Sequence, residues 1–446
     1  MTTPSRKDRF IARLVAFLDG VLYRDVVVHW AQPPPPDGPQ LTVANHFGGL
    51  SDALVLLHVV PRRPGIVARD VIWRIPVVGW FMTWIGGIPV HKPEDREGRR
   101  GATSNDQMFA SCYQALHDGG NLLIFPEGVT RNEPSIAPLK TGAARIVLGA
   151  RTAGTEGIVV VPIGIHYEDK AALRSRVVVK AGMPIDLDAE VEAQAHDPAA
   201  VDAEDRDAVT QLTALIEERL RRAAPDYADW DEATALTLAA DVALRERLDE
   251  PRQPVPIELR DRLANALAQR PADQKQRIQQ AADTYQADLD GLGVSDAGLH
   301  HRLSTGRVLL SLVVQLLVGL ILLPFALMGA VVNLIPFLVV KTVGLLRVAP
   351  SVHSTIKPIV AIVAFGIAWG VVIWTAGARY GLTAAAAALV LMPVYLAAAL
   401  ALADRARLWW RTVRRWRAER KAAGIEDRLR AHRDAVVDAV ISVEAA

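Results

Sequence analysis

Apolar positions along this chain change their spacing several times, and each change marks an element. Between residues 24 and 184, short apolar runs bounded by Gly, Pro, Asn and Asp predict strands. They fall at Arg24–Trp30, Leu41–Ala44, Ile66–Ala68, Gly87–Val90, Asn121–Phe125, Ile158–Ile165 and Val177–Ala181. Helical spacing intervenes over Asp52–Val60, Ser104–Leu116 and Thr141–Arg151. Such alternation predicts an α/β domain, a sheet covered by helices, over residues 24–190. Ahead of it, Phe10, Leu14, Phe17, Leu18 and Val21 keep to one side of a helix, with Arg6, Lys7, Arg9 and Arg13 around them. Residues 1–23 therefore read as an amphipathic helix that either lies on an anionic membrane surface or packs on the domain. Arg13 and Asp19 interrupt the apolar core that a secretory signal needs.

Beyond residue 190 the strand pattern stops. Residues 191–305 read as a charged helical segment, in which Val209, Leu212, Leu215, Ile216 and Leu220 form a packing stripe. Three uncharged runs follow: 33 residues over Val308–Val340, 21 over Pro358–Ala378 and 24 over Tyr380–Ala403. A helix needs about 20 apolar residues to cross a bilayer, so 306–404 reads as a membrane-embedded region. From Arg405 to Lys421, eight basic residues interleave with Trp409, Trp410 and Trp416. That mixture beside a span predicts a cytoplasmic interface anchor opening a basic tail over 405–446. The first run is long for one span and carries Pro324, Asn333 and Pro336. Folded back as a helical hairpin, it keeps Lys341, Arg347 and Lys357 on the near side. Pro358–Ala378 then crosses outward and Tyr380–Ala403 returns. The expectation is two full spans plus a hairpin, with both termini cytoplasmic.

Composition narrows the function. Of 446 residues 51% are hydrophobic and 22% charged, with 50 Lys plus Arg against 49 Asp plus Glu, a net charge of +1. A balance of that kind excludes a broadly basic nucleic-acid binder and an acidic disordered chain. The single cysteine, Cys112, excludes an intramolecular disulfide framework and a Cys-rich metal site.

Four clusters lie at the ends of predicted strands. In Asn45-His46-Phe47-Gly48-Gly49-Leu50-Ser51-Asp52, a histidine leaves a strand into a glycine loop, and an aspartate opens the next helix. A carboxylate on one imidazole nitrogen fixes the tautomer and makes the other nitrogen a general base. The plainer alternative is Asp52 as a helix cap and His46 as loop surface. Gly86 to Lys92 forms the second cluster, followed by Arg96, Arg99 and Arg100. The third, Phe125-Pro126-Glu127-Gly128-Val129-Thr130-Arg131, puts a carboxylate and backbone N–H groups at a sheet's carboxyl edge, with Arg131 able to grip a phosphate bidentately. Lys140-Thr141-Gly142 then opens a helix whose N-terminus favours an anion. The fourth, Val160 to Gly164, is a buried strand with a proline, a structural feature.

In order and spacing these blocks resemble the phospholipid/glycerol acyltransferase superfamily over roughly residues 24–185. Most members place four residues between the His and the Asp. Five separate His46 from Asp52, which resembles the fungal-type glycerol-3-phosphate/dihydroxyacetone-phosphate acyltransferases, as do Asp229–Leu299 and the later spans with Asn333-Leu334-Ile335-Pro336. The resemblance implies an α/β acyltransferase domain, then a helical segment and a C-terminal transmembrane region. It implies an O-acyltransferase in phospholipid biosynthesis, with His46 as general base and Asp52 orienting it. Glu127 and Gly128 would position the acceptor glycerol. Arg131, with Lys140 or Lys92, would hold its phosphate, Lys92 standing where the family usually carries an Arg. The implied partners are an acyl thioester donor (acyl-CoA or acyl-carrier protein), membrane lipids, and glycerol-3-phosphate, its 1-acyl derivative or another lysophospholipid as acceptor. No cofactor, metal or nucleic acid is implied. The implied location is an integral membrane protein, in the inner membrane if bacterial, with its catalytic domain facing the cytoplasm. Two alternatives are an acyltransferase on another lysolipid or a glycolipid, and a membrane scaffold with a decayed acyltransferase fold.

Overall fold

Each of the seven runs expected to be a strand in the α/β segment is one. The computed structural model describes residues 6–74, 76–90, 105–129, 133–167, 174–194, 198, 201–224, 226–248, 255–292, 295–296, 305–343, 350–421 and 426–444. The strands are β1 Tyr23–Trp30, β2 Gln40–Ala44, β3 Gly65–Arg69, β4 Ile88–Val90, β5 Asn121–Ile124, β6 Val159–Tyr167, β7 Ser175–Ala181 and β8 Ile185–Asp186. They form one sheet in the order β1-β7-β6-β2-β5-β3-β4, with β8 on β6. β2 pairs in parallel with both β5 and β6, so all three release their chains at the same edge.

β2 is buried along its whole length because helices cover both faces of the sheet. Strand periodicity sends Leu41, Val43 and Val160 to one core and Ala44, Val161, Ile163 and Ile165 to the other. α1 (Arg6–Leu22), α2 (Leu50–Val59) and α3 (Pro76–Trp84) pack on the second face. α4 (Asn105–His117), α5 (Gly142–Thr152) and the helix Arg206–Ala223 pack on the first. Cβ atoms at Gly149 and Gly164 would come 2.1 Å from Tyr113 Oη and from the Ala223 carbonyl, so these two glycines set how closely the helices approach.

Several expectations shift. α1 takes the packing alternative: Ile11, Val15 and Leu22 are buried against the domain, while Phe10 stays exposed. The stripe on Arg206–Ala223 buries Val209, Leu212 and Ile216 in the sheet's own core, so the compact α/β unit reaches residue 226 rather than 190. α3 lies in an uninterrupted apolar stretch whose period the sequence pattern conceals.

A second unit comprises residues 227–345 and 360–446. Helices Trp230–Glu246, Ile257–Ala268, Ala272–Leu292 and Glu426–Glu444 share one core, built on Leu236, Leu267, Ile278, Tyr285, Val436 and Val440. Asp296 ties it together, accepting from Arg245 at 2.9 Å, Arg433 at 3.0 Å and Tyr285 Oη at 2.7 Å. The segment after Lys421 is thus part of a bundle and not simply a basic tail.

Among the described residues, three helices are long and apolar enough to cross a membrane, over Val308–Val343, Ile359–Tyr380 and Leu382–Arg414. The expected hairpin is absent: Thr305–Val343 is one continuous helix with Pro324 and Pro336 inside it. Each proline removes a single backbone hydrogen bond, which an apolar helix tolerates when neighbours pack against it. Asn333 is no turn residue either. Its amide donates to Gly329 O at 2.8 Å and accepts from Trp369 Nε1 at 2.8 Å.

Candidate active site

The site begins at the carboxyl end of β2, the edge at which ligands enter open α/β sheets. Asn45 is buried, and its side chain extends the β2–β6 ladder beyond the strand. Its amide donates to Ile165 O at 3.1 Å and accepts from Ile165 N at 2.7 Å. That double bond aims the chain so that His46 emerges above β5. The His46 backbone N–H donates to Glu127 Oε1 at 2.9 Å, and its ring stacks on Phe125 with centroids 4.1 Å apart.

Gly48 and Gly49 then reverse the chain. Gly49 has φ +61° and ψ −128°, a backbone conformation that a side chain would strain. The turn delivers Asp52 in the first helical turn of α2, and its Oδ2 lies 2.9 Å from His46 Nδ1. Gly48 N–H donates to the same oxygen at 2.8 Å. On Oδ1, the carboxylate accepts from Tyr167 Oη at 2.5 Å. Asp52 is fully buried and His46 is 20% exposed. A carboxylate can only accept, so Nδ1 carries the imidazole proton and Nε2 keeps the lone pair. A solvent-reachable imidazole against a buried carboxylate is an arrangement that can serve general-base chemistry. The capping alternative does not hold: the α2 N-cap is Gly49, and the Asp52 carboxylate turns back to the loop.

Glu127 follows β5 on a turn closed by Gly128 N–H to Phe125 O at 3.1 Å, with Gly128 at φ +66°. Glu127 is 1% exposed. Its Oε1 holds the His46 N–H and its Oε2 accepts from Ala137 N at 2.9 Å, so it bears on the site through His46. Lys140 is exposed beside this turn. Its N–H donates to Pro126 O at 2.8 Å, and its Cγ would lie 3.4 Å from a Cβ at Gly128. It directly precedes the α5 N-terminus. Lys92 and Arg131 lie outside the described residues, as do His91, Thr130, Arg96, Arg99 and Arg100.

Tyr167, Asn45 and Phe125 belong to this site although sequence reading gave none of them a role. The signal for Tyr167 was its phase in β6. It falls in step with Val161, Ile163 and Ile165 and so faces the same buried side. Burial and the adjoining Asp52 carboxylate hold its phenol well above the usual tyrosine range, so it stays a donor.

Residues 25–166 match the family model described as Acyltransferase. The chain is 30% identical over 224 residues to glycerol-3-phosphate O-acyltransferase 2 of Saccharomyces cerevisiae, a match spanning 49% of this chain and 28% of the yeast protein. It is 30% identical over 142 residues to a 1-acyl-sn-glycerol-3-phosphate acyltransferase of Chlamydomonas reinhardtii, spanning 32% of this chain and 38% of that protein. The crystal structure of a 1-acyl-sn-glycerophosphate acyltransferase from Thermotoga maritima superposes with a TM-score of 0.35 at 20% identity, over 50% of this chain and 82% of that one.

Proposed function

Residues 25–166 form a domain of the phospholipid/glycerol acyltransferase superfamily, and from that premise we propose that the protein is a membrane-bound O-acyltransferase. It moves a fatty acyl group from an acyl thioester to a glycerol-phosphate acceptor, glycerol-3-phosphate or its 1-acyl derivative. His46 Nε2 takes the proton from the acceptor hydroxyl as that oxygen attacks the thioester carbonyl. The tetrahedral adduct then expels the thiolate, which leaves as the thiol with the proton carried by His46. Asp52 holds the imidazolium through Nδ1. A thioester is already activated, so no serine or cysteine nucleophile is required. The observation that carries this reading is the 2.9 Å His46 Nδ1–Asp52 contact at the carboxyl edge of β2, with Glu127 holding the His46 backbone.

For the acceptor phosphate we assign the cationic side chains after β5, Arg131 and Lys140, with Lys92 as a further point charge. The three apolar helices support a reaction at a membrane, with the catalytic domain on the cytoplasmic side, where thioester donors are made. The test offers radiolabelled acyl-CoA to purified protein with glycerol-3-phosphate, 1-acylglycerol-3-phosphate, a phosphate-free lysolipid or no acceptor. Labelled product confined to phosphate-bearing acceptors supports the proposal. Product with the phosphate-free lysolipid alone, or none at all, rejects it. In the same assay Arg131→Ala is expected to raise KM for the phosphate-bearing acceptor about tenfold and leave the donor KM within about twofold, because it removes a charged hydrogen-bonding partner.

A further inference from the structure

Asp52 presents two carboxylate oxygens in a fully buried place, and orienting His46 uses just one of them. The other, Oδ1, is held by the Tyr167 hydroxyl at 2.5 Å, in the range of strong O–H···O⁻ bonds. We propose that Tyr167 is a positioning residue for the His46–Asp52 pair. Its phenol pins Oδ1 so that Oδ2 stays in line with His46 Nδ1. The proposal rests on the acyl-transfer reading for its kinetic consequences but not for its geometry.

Three features place the phenol there. Tyr167 is the last residue of β6, paired in register with Val177 of β7, which sets its height above the sheet edge. Two residues earlier, Ile165 is locked to the Asn45 side chain, so the strand carrying Tyr167 and the loop carrying His46 share one anchor. Its ring also packs against Tyr23, at the junction of α1 and β1, with centroids 5.8 Å apart. The loop leaves room for this arrangement and for no more. A Cβ at Gly48 would come 2.7 Å from Asp52 Oδ1 and 2.9 Å from Tyr167 Oη, so a side chain there would have to push the two groups apart.

Without the phenol, Oδ1 becomes a buried acceptor with an open lone pair, and the Gly48 N–H on Oδ2 is left to oppose rotation of the carboxyl group away from Nδ1. The orienting contact then loosens while the substrate-facing surface is unchanged. A residue that acts through another in this way lowers kcat and spares KM.

The test uses the full-length protein with Tyr167→Phe, which keeps the ring and removes the hydroxyl. Tyr167→Phe is expected to lower kcat about ten- to a hundredfold, as for one lost bond to a charged group, with both KM values within about twofold of wild type. A second readout needs no turnover: the pH dependence of diethyl pyrocarbonate modification of His46, with a His46→Ala blank to subtract the other histidines. Tyr167→Phe should move the His46 titration in the same direction as Asp52→Asn, by a smaller amount. A wild-type titration in Tyr167→Phe overturns the proposal. So does a kcat loss that disappears once activity is referred to the folded fraction. If the titration shifts but the wild-type protein transfers no acyl group, the acyl-transfer reading fails and the positioning role stands.

Discussion

His46 is held from three sides, and each contact predicts a different consequence of removing it. Asp52 holds the ring, Glu127 holds the backbone N–H and Phe125 stacks on the ring face. His46→Ala is expected to lower turnover about 10²- to 10⁴-fold, the usual worth of a general base, with the thermal midpoint and membrane association unchanged. Asp52→Asn should cost as much or less. Steady-state rates on membrane fractions of matched expression decide the matter, and a His46→Ala rate close to wild type would count against the mechanism. Gly48 gives a separate prediction. A Cβ there would press on the carboxylate itself, so Gly48→Ala should approach Asp52→Asn in activity. Gly142→Ala is the control, because a Cβ there meets nothing within 4 Å. The spacing of His46 and Asp52 was legible in the sequence since both lie on one short loop. Tyr167 was not, because it enters from 115 residues away.

At the level of elements, α1 is clipped to α2 by a buried ionic contact. Asp19 is fully buried on the inward face of α1, with His58 Nδ1 3.0 Å from its Oδ2. The Asp19 carboxylate holds the His58 imidazole above its ordinary 6.5. A raised histidine value contributes stability that is complete below pH 6.5 and is lost as pH rises through the higher folded-state value. Burial pushes Asp19 upward too, so leaving it charged without a protonated partner becomes costly over the same range. Docking of α1 should therefore be tighter at pH 6 than at about pH 8.5. Hydrogen exchange of the α1 amides, corrected for intrinsic pH dependence, reads this directly. Asp19→Asn should flatten the profile, and an unaltered profile in that variant would refute the assignment. The amphipathic pattern of α1 was plain in the sequence. Which face turned inward was not, because Asp19 lies among the buried positions and hydropathy alone places it outside.

For the unit that carries the apolar helices, the helical core constrains how the chain can run. Leu429, Val436 and Val440 lie in one core with Leu236, Ile278 and Tyr285, so the segments before and after the apolar helices occupy the same side. The chain between them must cross an even number of times. Thr305–Val343 and Leu382–Lys421 form an antiparallel pair, with Gln315 bonded to Arg405 at 2.7 Å and Phe325 against Tyr395 at 6.4 Å. A Cβ at Gly329 would lie 2.1 Å from the Tyr395 carbonyl, the close backbone approach that small residues permit in apolar helix pairs. The even count is met when these two helices cross and Ile359–Tyr380, also long and apolar enough, does not. Cysteines introduced at Thr342 and Gly381 should react with a membrane-impermeant maleimide from one side, and a cysteine at Ser442 from the other. Labelling of the Thr342 and Gly381 positions from opposite sides would restore an odd number of crossings.

Local periodicity was enough to determine β1 to β7 and helices α1, α2, α4 and α5 of the α/β domain, the three apolar stretches and the loop that pairs His46 with Asp52. Each of these is written within a few tens of residues, where spacing and turn chemistry act directly. Proline and length, also local signals, pointed to a hairpin over residues 308–340. The continuous helix prevailed because its neighbours take up Asn333 and pack against Gly329. Other features were decided only when distant faces were buried together. They include the strand order that brings β2, β5 and β6 to one edge, the union of Glu426–Glu444 with the helices of residues 230–292, and the meeting of Tyr167 with Asp52. The physical reason is that an apolar face specifies that it must be covered and not what covers it, so partners remote in sequence are chosen by the packing of the whole unit.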